Sequence, residues 1–226
     1  MIKRISSFLL IAINIHLVCE AQSTVKNPDP LRFKNEINAF VEWDSKNSFP
    51  DDGVLFVGSS SIRMWNTHNS FPDYPVINRG FGGSHISDIQ YYYEKVIQKY
   101  RPSVIVFYAG DNDIASDKPV EQVFNDYKKL TDRIFSDNPE VLFVYLPIKP
   151  SSSRWDYWKR MNEVNTMIRS YNDKNDQLFY VDLAQPLLKT DGRPNDALFL
   201  NDRLHLNEEG YKAWTQVLEP VLEKLF

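Results

Sequence analysis

Short apolar runs alternate along the chain with longer segments in which apolar residues recur every three or four positions. The short runs predict buried strands, and they cover residues 54–57, 75–78, 103–108, 141–146 and 178–183. The longer segments have the spacing of amphipathic helices and cover residues 31–46, 85–100, 119–136, 156–173 and 207–226. The last of these begins at Asn207, a residue type that commonly caps a helix N-terminus.

A strand followed by a helix, repeated five times, predicts an α/β fold with a five-stranded parallel sheet and helices on both faces, a three-layer α/β/α sandwich. The chain has 226 residues and no stretch with the composition of an interdomain linker. We therefore expect one domain, over residues 22–226. In open parallel sheets of this kind, ligands bind beyond the carboxyl ends of the strands.

The first 21 residues have the pattern of a secretory signal rather than of a folded element. Lys3 and Arg4 precede an interrupted apolar run over residues 5–18, and Ala21 has a small residue two positions before it. We expect cleavage after Ala21 and export to the periplasm or the medium, with no stable membrane insertion afterwards. The run is shorter than a membrane span usually needs, which disfavours an uncleaved anchor.

Cys19 leaves open a second form of export, in which cleavage before this cysteine produces a lipoprotein. Val18 precedes it, where lipoprotein signals prefer a small residue, so this alternative is disfavoured. With cleavage after Ala21 the exported chain contains no cysteine, and its fold depends on its hydrophobic core rather than on disulfides.

Charge and composition exclude some partners and cofactors. The formal charge of −4 argues against nucleic-acid binding, which usually needs a basic face. The stretch GFGGSH at 80–85 approaches a dinucleotide-binding motif, but His85 stands at its last position, so no such cofactor is expected. A metal-dependent phosphoesterase would need more histidines than follow residue 21, and we expect no metal.

Four clusters of glycine and polar residues lie where predicted strands end. They are GSSS at 58–61, NRGFGG at 78–83, AGDND at 109–113 and DRLH at 202–205. A serine that attacks an acyl carbon needs a base and a group that orients the base. His205 is the candidate base and Asp202 the orienting group, because a turn of three residues can fold the carboxylate onto the ring. A glycine amide and an asparagine side chain suit the developing oxyanion.

In this order the four clusters resemble the blocks of the SGNH (GDSL-type) hydrolase family, from the first strand to the last helix. VLFVGSSSIRMW resembles the first block, and the resemblance implies that Ser60 is the nucleophile. INRGFGG and YAGDNDI resemble the second and third blocks, which implies oxyanion donors at Gly83 and Asn112, together with the backbone amide of Ser60. DRLH resembles the final block, which implies a triad completed by Asp202 and His205.

The resemblance also implies the flavodoxin-like SGNH hydrolase fold and a serine esterase activity. The usual Gly-Asp-Ser is replaced here by Gly58-Ser59-Ser60, which leaves Ser59 and Ser61 as alternative nucleophiles. Each cluster alone has a simpler interpretation, as a helix cap, a tight turn or a surface turn. Their joint occurrence after successive strands favours the catalytic one.

The expected activity is hydrolysis of a short acyl ester, an acetyl ester in particular, through an acyl-enzyme. A carbohydrate O-acetyl ester or a lysophospholipid is the expected substrate, by analogy with the family. Trp155, in the loop after the fourth strand, is the candidate substrate-binding residue. An O-acyltransferase with the same triad and a non-catalytic carbohydrate-binding module remain as alternatives.

Overall fold

Five parallel strands form one sheet in the computed structural model, which describes residues 24–226. The strands are β1 (Val54–Gly58), β2 (Val76–Gly80), β3 (Val104–Tyr108), β4 (Leu142–Tyr145) and β5 (Leu178–Tyr180). Their order across the sheet is β2-β1-β3-β4-β5, and every neighbouring pair is parallel. This is the flavodoxin-like order, as the resemblance implied. The expected signal peptide over residues 1–21 and its Cys19 lie outside the described residues.

Helices of very different lengths connect these strands. The long ones are α1 (Lys34–Lys46), α7 (Val120–Asp137), α8 (Trp158–Asn172) and α9 (Glu208–Leu225). The short ones are α2 (Ser60–Arg63), α3 (Thr67–Ser70), α4 (Ile86–Tyr91), α5 (Tyr93–Val96) and α6 (Asp111–Ala115). Single 3₁₀ turns cover Pro30–Phe33, Gln98–Tyr100, Ser152–Tyr157, Gln185–Leu187 and Asp196–Leu198.

Alternate side chains of each strand enter two separate hydrophobic cores, one on each face of the sheet. Leu55 and Val57 of β1 pack under α1, α4, α5, α7 and α8, whereas Val54 and Phe56 pack under α2 and α9. All five residues of β1 are fully buried, which explains why that strand is a continuous apolar run instead of an alternating one. The predicted three-layer architecture is confirmed.

The boundaries of some elements differ from the sequence prediction. The predicted helix over 85–100 is divided into α4, α5 and a 3₁₀ turn, because the backbone leaves the helical region at Tyr92 and Ile97. Apolar spacing reports only which face is buried, and the divided segment still buries the same face. The last strand ends at Tyr180 instead of residue 183.

The last helix begins as predicted. The side chain of Asn207 accepts a hydrogen bond from the backbone N–H of Gly210 at 3.0 Å, so Asn207 is its N-cap. Among residues 24–226, no helix is both long and apolar enough to cross a bilayer.

Candidate active site

The turn after β1 brings Ser60 to the carboxyl edge of the sheet. A Cβ atom at Gly58 would lie 2.0 Å from the carbonyl oxygen of Tyr108 on β3, so only glycine allows the two strands to approach this closely. The N–H of Ser59 then donates to the same carbonyl at 2.9 Å. Ser60 is the first residue of α2, a position whose backbone N–H has no partner within the helix. That N–H is therefore free to bind a ligand.

A tight turn before α9 brings Asp202 against His205. Phe199 and Leu206 form an antiparallel bridge across the turn, and the N–H of Leu200 donates to the carbonyl of His205 at 2.8 Å. The turn closes through a left-handed residue, Arg203, with φ of 54°. This is the folding back that the three-residue spacing predicted.

Ser60, His205 and Asp202 form one hydrogen-bonded chain. The Ser60 hydroxyl oxygen lies 3.0 Å from Nε2 of His205, and Nδ1 of His205 lies 2.6 Å from Oδ2 of Asp202. Residues 145 positions apart in the sequence are therefore in direct contact. Ser60 is 8% exposed, so little of this residue is in contact with water.

Hydrogen bonds keep Asp202 ionised. Desolvation of this carboxyl opposes ionisation, but the His205 ring and the backbone N–H groups of His205 and Leu204 donate to it and lower the pKa of Asp202 to about 2. The two N–H groups share Oδ1, at 3.0 and 2.9 Å, while Oδ2 faces the ring. The carboxylate thus has separate oxygens for the turn and for the imidazole.

The loop between β2 and α4 places Gly83 beside the turn after β1 that contains Ser60. Gly83 has φ of +75°, and a Cβ there would meet no atom within 4 Å, so the space in front of it is open. Within the described part of the chain its N–H donates to no backbone acceptor. The next residue ties the loop down, because the Ser84 hydroxyl donates to the carbonyl of Gly58 at 3.3 Å.

Asn112 lies on the other side of Ser84, in the first turn of α6. Gly110 precedes that helix with φ of +116°, which turns the chain sharply after β3. The Asn112 amide donates from Nδ2 to the carbonyl of Ser84 at 3.2 Å, and its Oδ1 accepts a hydrogen bond from Arg154 at 2.8 Å. The two candidate oxyanion donors are therefore linked through one residue.

The two alternative nucleophiles have other surroundings. The Ser61 hydroxyl accepts a hydrogen bond from the buried Lys149 ammonium at 3.1 Å. The Ser59 hydroxyl is fully buried and has no hydrogen-bond partner among residues 24–226. The structure thus places only Ser60, of these three, against His205.

Trp155 lies in the 3₁₀ segment Ser152–Tyr157 that follows β4, half-buried and without a hydrogen bond or ring contact to the Ser60–His205 pair. Its ring stacks on Trp158 at a centroid distance of 6.0 Å, and the Arg193 guanidinium lies 4.9 Å from its centroid. This segment also contacts the turn that contains Asp202 and His205, since the N–H of Ser153 donates to the carbonyl of Arg203 at 3.2 Å. Trp155 therefore directly follows Arg154, which binds Asn112, and its ring packs against Trp158 and Arg193.

A charged group behind Asn112 was missed by the sequence analysis. The Asp111 carboxylate lies 2.9 Å from Arg154 and 3.7 Å from Lys149. Lys149 also donates to the hydroxyl of Tyr108 at 3.1 Å, and its burial lowers its pKa. The available signal was position: Lys149 and Arg154 follow β4, at the edge of the sheet where the other clusters lie.

A second buried polar group packs behind the Gly83 loop. Asp113 accepts hydrogen bonds from the N–H of Ile86 at 3.3 Å and from the Lys118 ammonium at 2.8 Å. Burial raises the pKa of Asp113 to about 6, and burial together with the Lys118 charge lowers the pKa of His85 to about 4. These contacts join the Gly83 loop to α6. Within residues 24–226, no group of three or more His, Cys, Asp and Glu side chains is arranged to hold a metal ion.

Comparison with known proteins identifies the family and the fold. The sequence profile of the GDSL-like Lipase/Acylhydrolase family matches residues 61–213. A search of curated proteins found no significant match. Among solved structures, a Bacteroides fragilis protein described as an acylhydrolase has a TM-score of 0.74 at 20% identity, over 84% of this chain and 97% of its own.

Two further structures have the same fold. A GDSL-like lipase from Bacteroides thetaiotaomicron has a TM-score of 0.74 at 17% identity, over 84% of this chain and 98% of its own. A carbohydrate esterase of family 3 from Talaromyces cellulolyticus has a TM-score of 0.61 at 18% identity, over 76% of this chain and 96% of its own. The family profile covers more than half of the sequence, so the chain belongs to the GDSL-like Lipase/Acylhydrolase family and is a hydrolase of ester bonds.

Proposed function

We propose that the protein is a serine-dependent carboxylic-ester hydrolase that works through an acyl-enzyme, with Ser60 as nucleophile and His205 and Asp202 completing the triad. The observation that carries the proposal is the hydrogen-bonded chain from the Ser60 hydroxyl to His205 at 3.0 Å and from His205 to Asp202 at 2.6 Å. A nucleophile, a base and a group that orients the base are the components that acyl transfer requires.

In the first half of the reaction, the Ser60 oxygen attacks the ester carbonyl carbon while Nε2 of His205 takes the hydroxyl proton. The carbonyl oxygen becomes an oxyanion, which accepts hydrogen bonds from the N–H groups of Ser60 and Gly83 and from Nδ2 of Asn112. The tetrahedral intermediate then expels the alcohol, and His205 donates its proton to the leaving oxygen. The acyl group remains on Ser60.

In the second half, water attacks the acyl-enzyme and His205 takes its proton. Collapse of the second tetrahedral intermediate breaks the bond to Ser60, whose oxygen recovers the proton from His205, and the carboxylic acid leaves. Asp202 keeps Nδ1 of His205 protonated, so that Nε2 is the acceptor in both halves. Because its pKa is about 2, Asp202 remains charged throughout the neutral range.

The proposed substrate is a short acyl ester, an acetyl ester in particular, on a carbohydrate or a lysophospholipid. The proposal rests on the resemblance of the site to its family and on the expected export of the chain. The Trp155 ring, which stacks on Trp158, follows Arg154 in the chain and offers a flat apolar face that suits a sugar ring, and we assign Trp155 as a substrate contact. The reaction requires only the ester and water, yields the alcohol and the carboxylic acid, and involves no cofactor.

A panel of esters that varies acyl length and alcohol, assayed beside Ser60→Ala, tests the proposal. We expect turnover of acetyl esters by the unchanged protein and a loss of at least about 10³-fold in the Ser60→Ala variant. Ser61→Ala is the matched control, because Ser61 adjoins the nucleophile but contacts Lys149, and it should retain activity within about tenfold. Full activity of Ser60→Ala would overturn the proposal.

The same panel separates hydrolysis from acyl transfer. Acetate released in water and acetyl transferred to an added sugar are measured together. We expect acetate to be the main product. Transfer that exceeds acetate release would assign the triad to an O-acyltransferase instead.

A further inference from the structure

Arg154 binds the side-chain amide oxygen of Asn112. The arginine lies in the Ser152–Tyr157 segment after β4, and its side chain is 18% exposed. Its Nη2 donates to Oδ1 of Asn112 at 2.8 Å, and its Nη1 lies 2.9 Å from Oδ2 of Asp111. One planar guanidinium thus contacts two consecutive residues at the start of α6.

This contact decides which way the Asn112 amide points. A guanidinium only donates hydrogen bonds, so the atom facing Arg154 must be the amide oxygen. One hydrogen of Nδ2 is directed to the carbonyl of Ser84 at 3.2 Å. The other hydrogen of Nδ2 is the only one left for a ligand.

We propose that Arg154 is a positioning residue that fixes the Asn112 amide for oxyanion binding; this rests on the proposed function. The terminal torsion of an asparagine has a broad, roughly twofold profile, so without Arg154 the amide is held only by the hydrogen bond from Nδ2 to Ser84 and can shift about it. With Arg154 in place the donor is already oriented before the oxyanion forms, which is the condition for strong stabilisation of a transition state.

The Arg154 guanidinium is paired with a carboxylate that it shares with Lys149. Asp111 lies between Arg154 and Lys149, at 2.9 and 3.7 Å, and its Oδ1 accepts the N–H of Asn112 at 3.0 Å. Nη1 and Nη2 of Arg154 both face oxygen atoms of the protein, on Asp111 and Asn112. The arrangement therefore favours action through Asn112 over direct contact with substrate.

A double-mutant cycle with Asn112 tests this role. The variants are Arg154→Met, Asn112→Ala and the double variant, assayed on p-nitrophenyl acetate for kcat and KM. We expect Arg154→Met to lower kcat by about 10- to 100-fold with little change in KM, because a donor displaced by about 1 Å can cost that much. In the Asn112→Ala background the same substitution should lower kcat less than about threefold, since its target is absent.

Two controls separate positioning from folding. Arg154→Lys keeps a positive charge beside Asp111 but loses the planar fork that reaches both partners, so it should unfold at nearly the unchanged temperature and still lose at least about fivefold in kcat. Arg160→Met removes another partly exposed arginine, which binds Asp117 at 3.2 Å and the carbonyl of Lys118 at 2.7 Å and makes no hydrogen bond to Asn112. It should leave kcat unchanged.

The outcomes distinguish the two proposals. If Ser60→Ala retains full activity, the proposed function fails, whatever Arg154 does. If Ser60→Ala is inactive but Asn112→Ala retains full activity, Asn112 is not an oxyanion donor and the inference about Arg154 is overturned while the proposed function stands. If Asn112→Ala lowers kcat but the loss from Arg154→Met is equally large with and without Asn112, Arg154 acts independently of it and the inference is overturned. Arg154→Lys with full kcat would overturn it as well, because charge alone would then suffice.

Discussion

Replacement of Asp202 by asparagine should nearly abolish activity without unfolding the protein. In the structure, Oδ1 of Asp202 accepts two backbone N–H groups, and Oδ2 accepts Nδ1 of His205. An asparagine of the same shape must place its only oxygen against the two N–H groups. Its NH₂ group then faces Nδ1 of His205, which can no longer be a donor.

The consequence is a change of tautomer in His205. With an NH₂ group donating to Nδ1, the ring proton moves to Nε2, 3.0 Å from the Ser60 hydroxyl. The imidazole then has no lone pair with which to accept the hydroxyl proton. A wrong tautomer in a serine triad costs about 10⁴-fold in kcat, which is about 5 kcal/mol of transition-state stabilisation.

The assay is hydrolysis of p-nitrophenyl acetate, followed together with thermal unfolding. We expect kcat to fall by about 10⁴-fold in Asp202→Asn, to no more than the value of Asp202→Ala, although alanine removes more atoms. Asp196→Asn is the matched control, because Asp196 lies in the preceding 3₁₀ turn and binds Arg203 at 2.9 Å, away from the His205 ring. Activity of Asp202→Asn within tenfold of the unchanged protein would refute the tautomer argument.

Three further predictions concern stability and substrate contact. Gly58→Ala should lower the unfolding free energy by at least about 3 kcal/mol in urea titrations, because its Cβ would lie 2.0 Å from the Tyr108 carbonyl oxygen. Gly83→Ala is the comparison, because a Cβ at position 83 meets open space, and equal stability of the two variants would contradict this. His85→Gln should lower the unfolding free energy most at pH 7, and this loss should be smaller at pH 4 by on the order of 2–3 kcal/mol. The reason is that a histidine in the unfolded chain, with a pKa near 6.5, is protonated before the buried ring, whose pKa is about 4. A loss that does not change with pH would refute it. Trp155→Ala should raise KM for acetylated sugars several-fold and leave KM for p-nitrophenyl acetate unchanged, and equal effects on both would exclude a sugar contact.

Much of the fold was predictable because it depends on local patterns. Each strand of this parallel sheet is covered on both faces, so its sequence is continuously apolar, and each long helix buries one stripe. The division of residues 85–100 into short helices was not predictable. Apolar spacing encodes which face is buried, and it does not encode whether the backbone breaks at Tyr92 while that face stays buried.

The candidate site was predictable in part, for a related reason. The four clusters could be chosen because their chemical types follow strand ends, which meet at one edge of a parallel sheet. Within them, the family resemblance implied Ser60, Gly83 and Asn112, and the Asp202–His205 spacing suited a base and its orienting group. Position after β4 marks Arg154 as a charged residue at the same edge, but it does not identify Asn112 as its partner. Its contact with Asn112 joins residues 42 positions apart, and nothing in the local sequence PSSSRW distinguishes an arginine that orients an amide from one that faces water.

The sequence by itself determined the fold class, the chemical groups available and the edge of the sheet where they lie, because hydrophobic period and chain order act locally. Only the tertiary structure decided that Ser60, and neither Ser59 nor Ser61, meets His205, and that Asp202 divides its two oxygens between the turn and the ring. Hydrogen bonds are directional and depend on positions within a few tenths of an ångström, which are set by the packing of all the elements together.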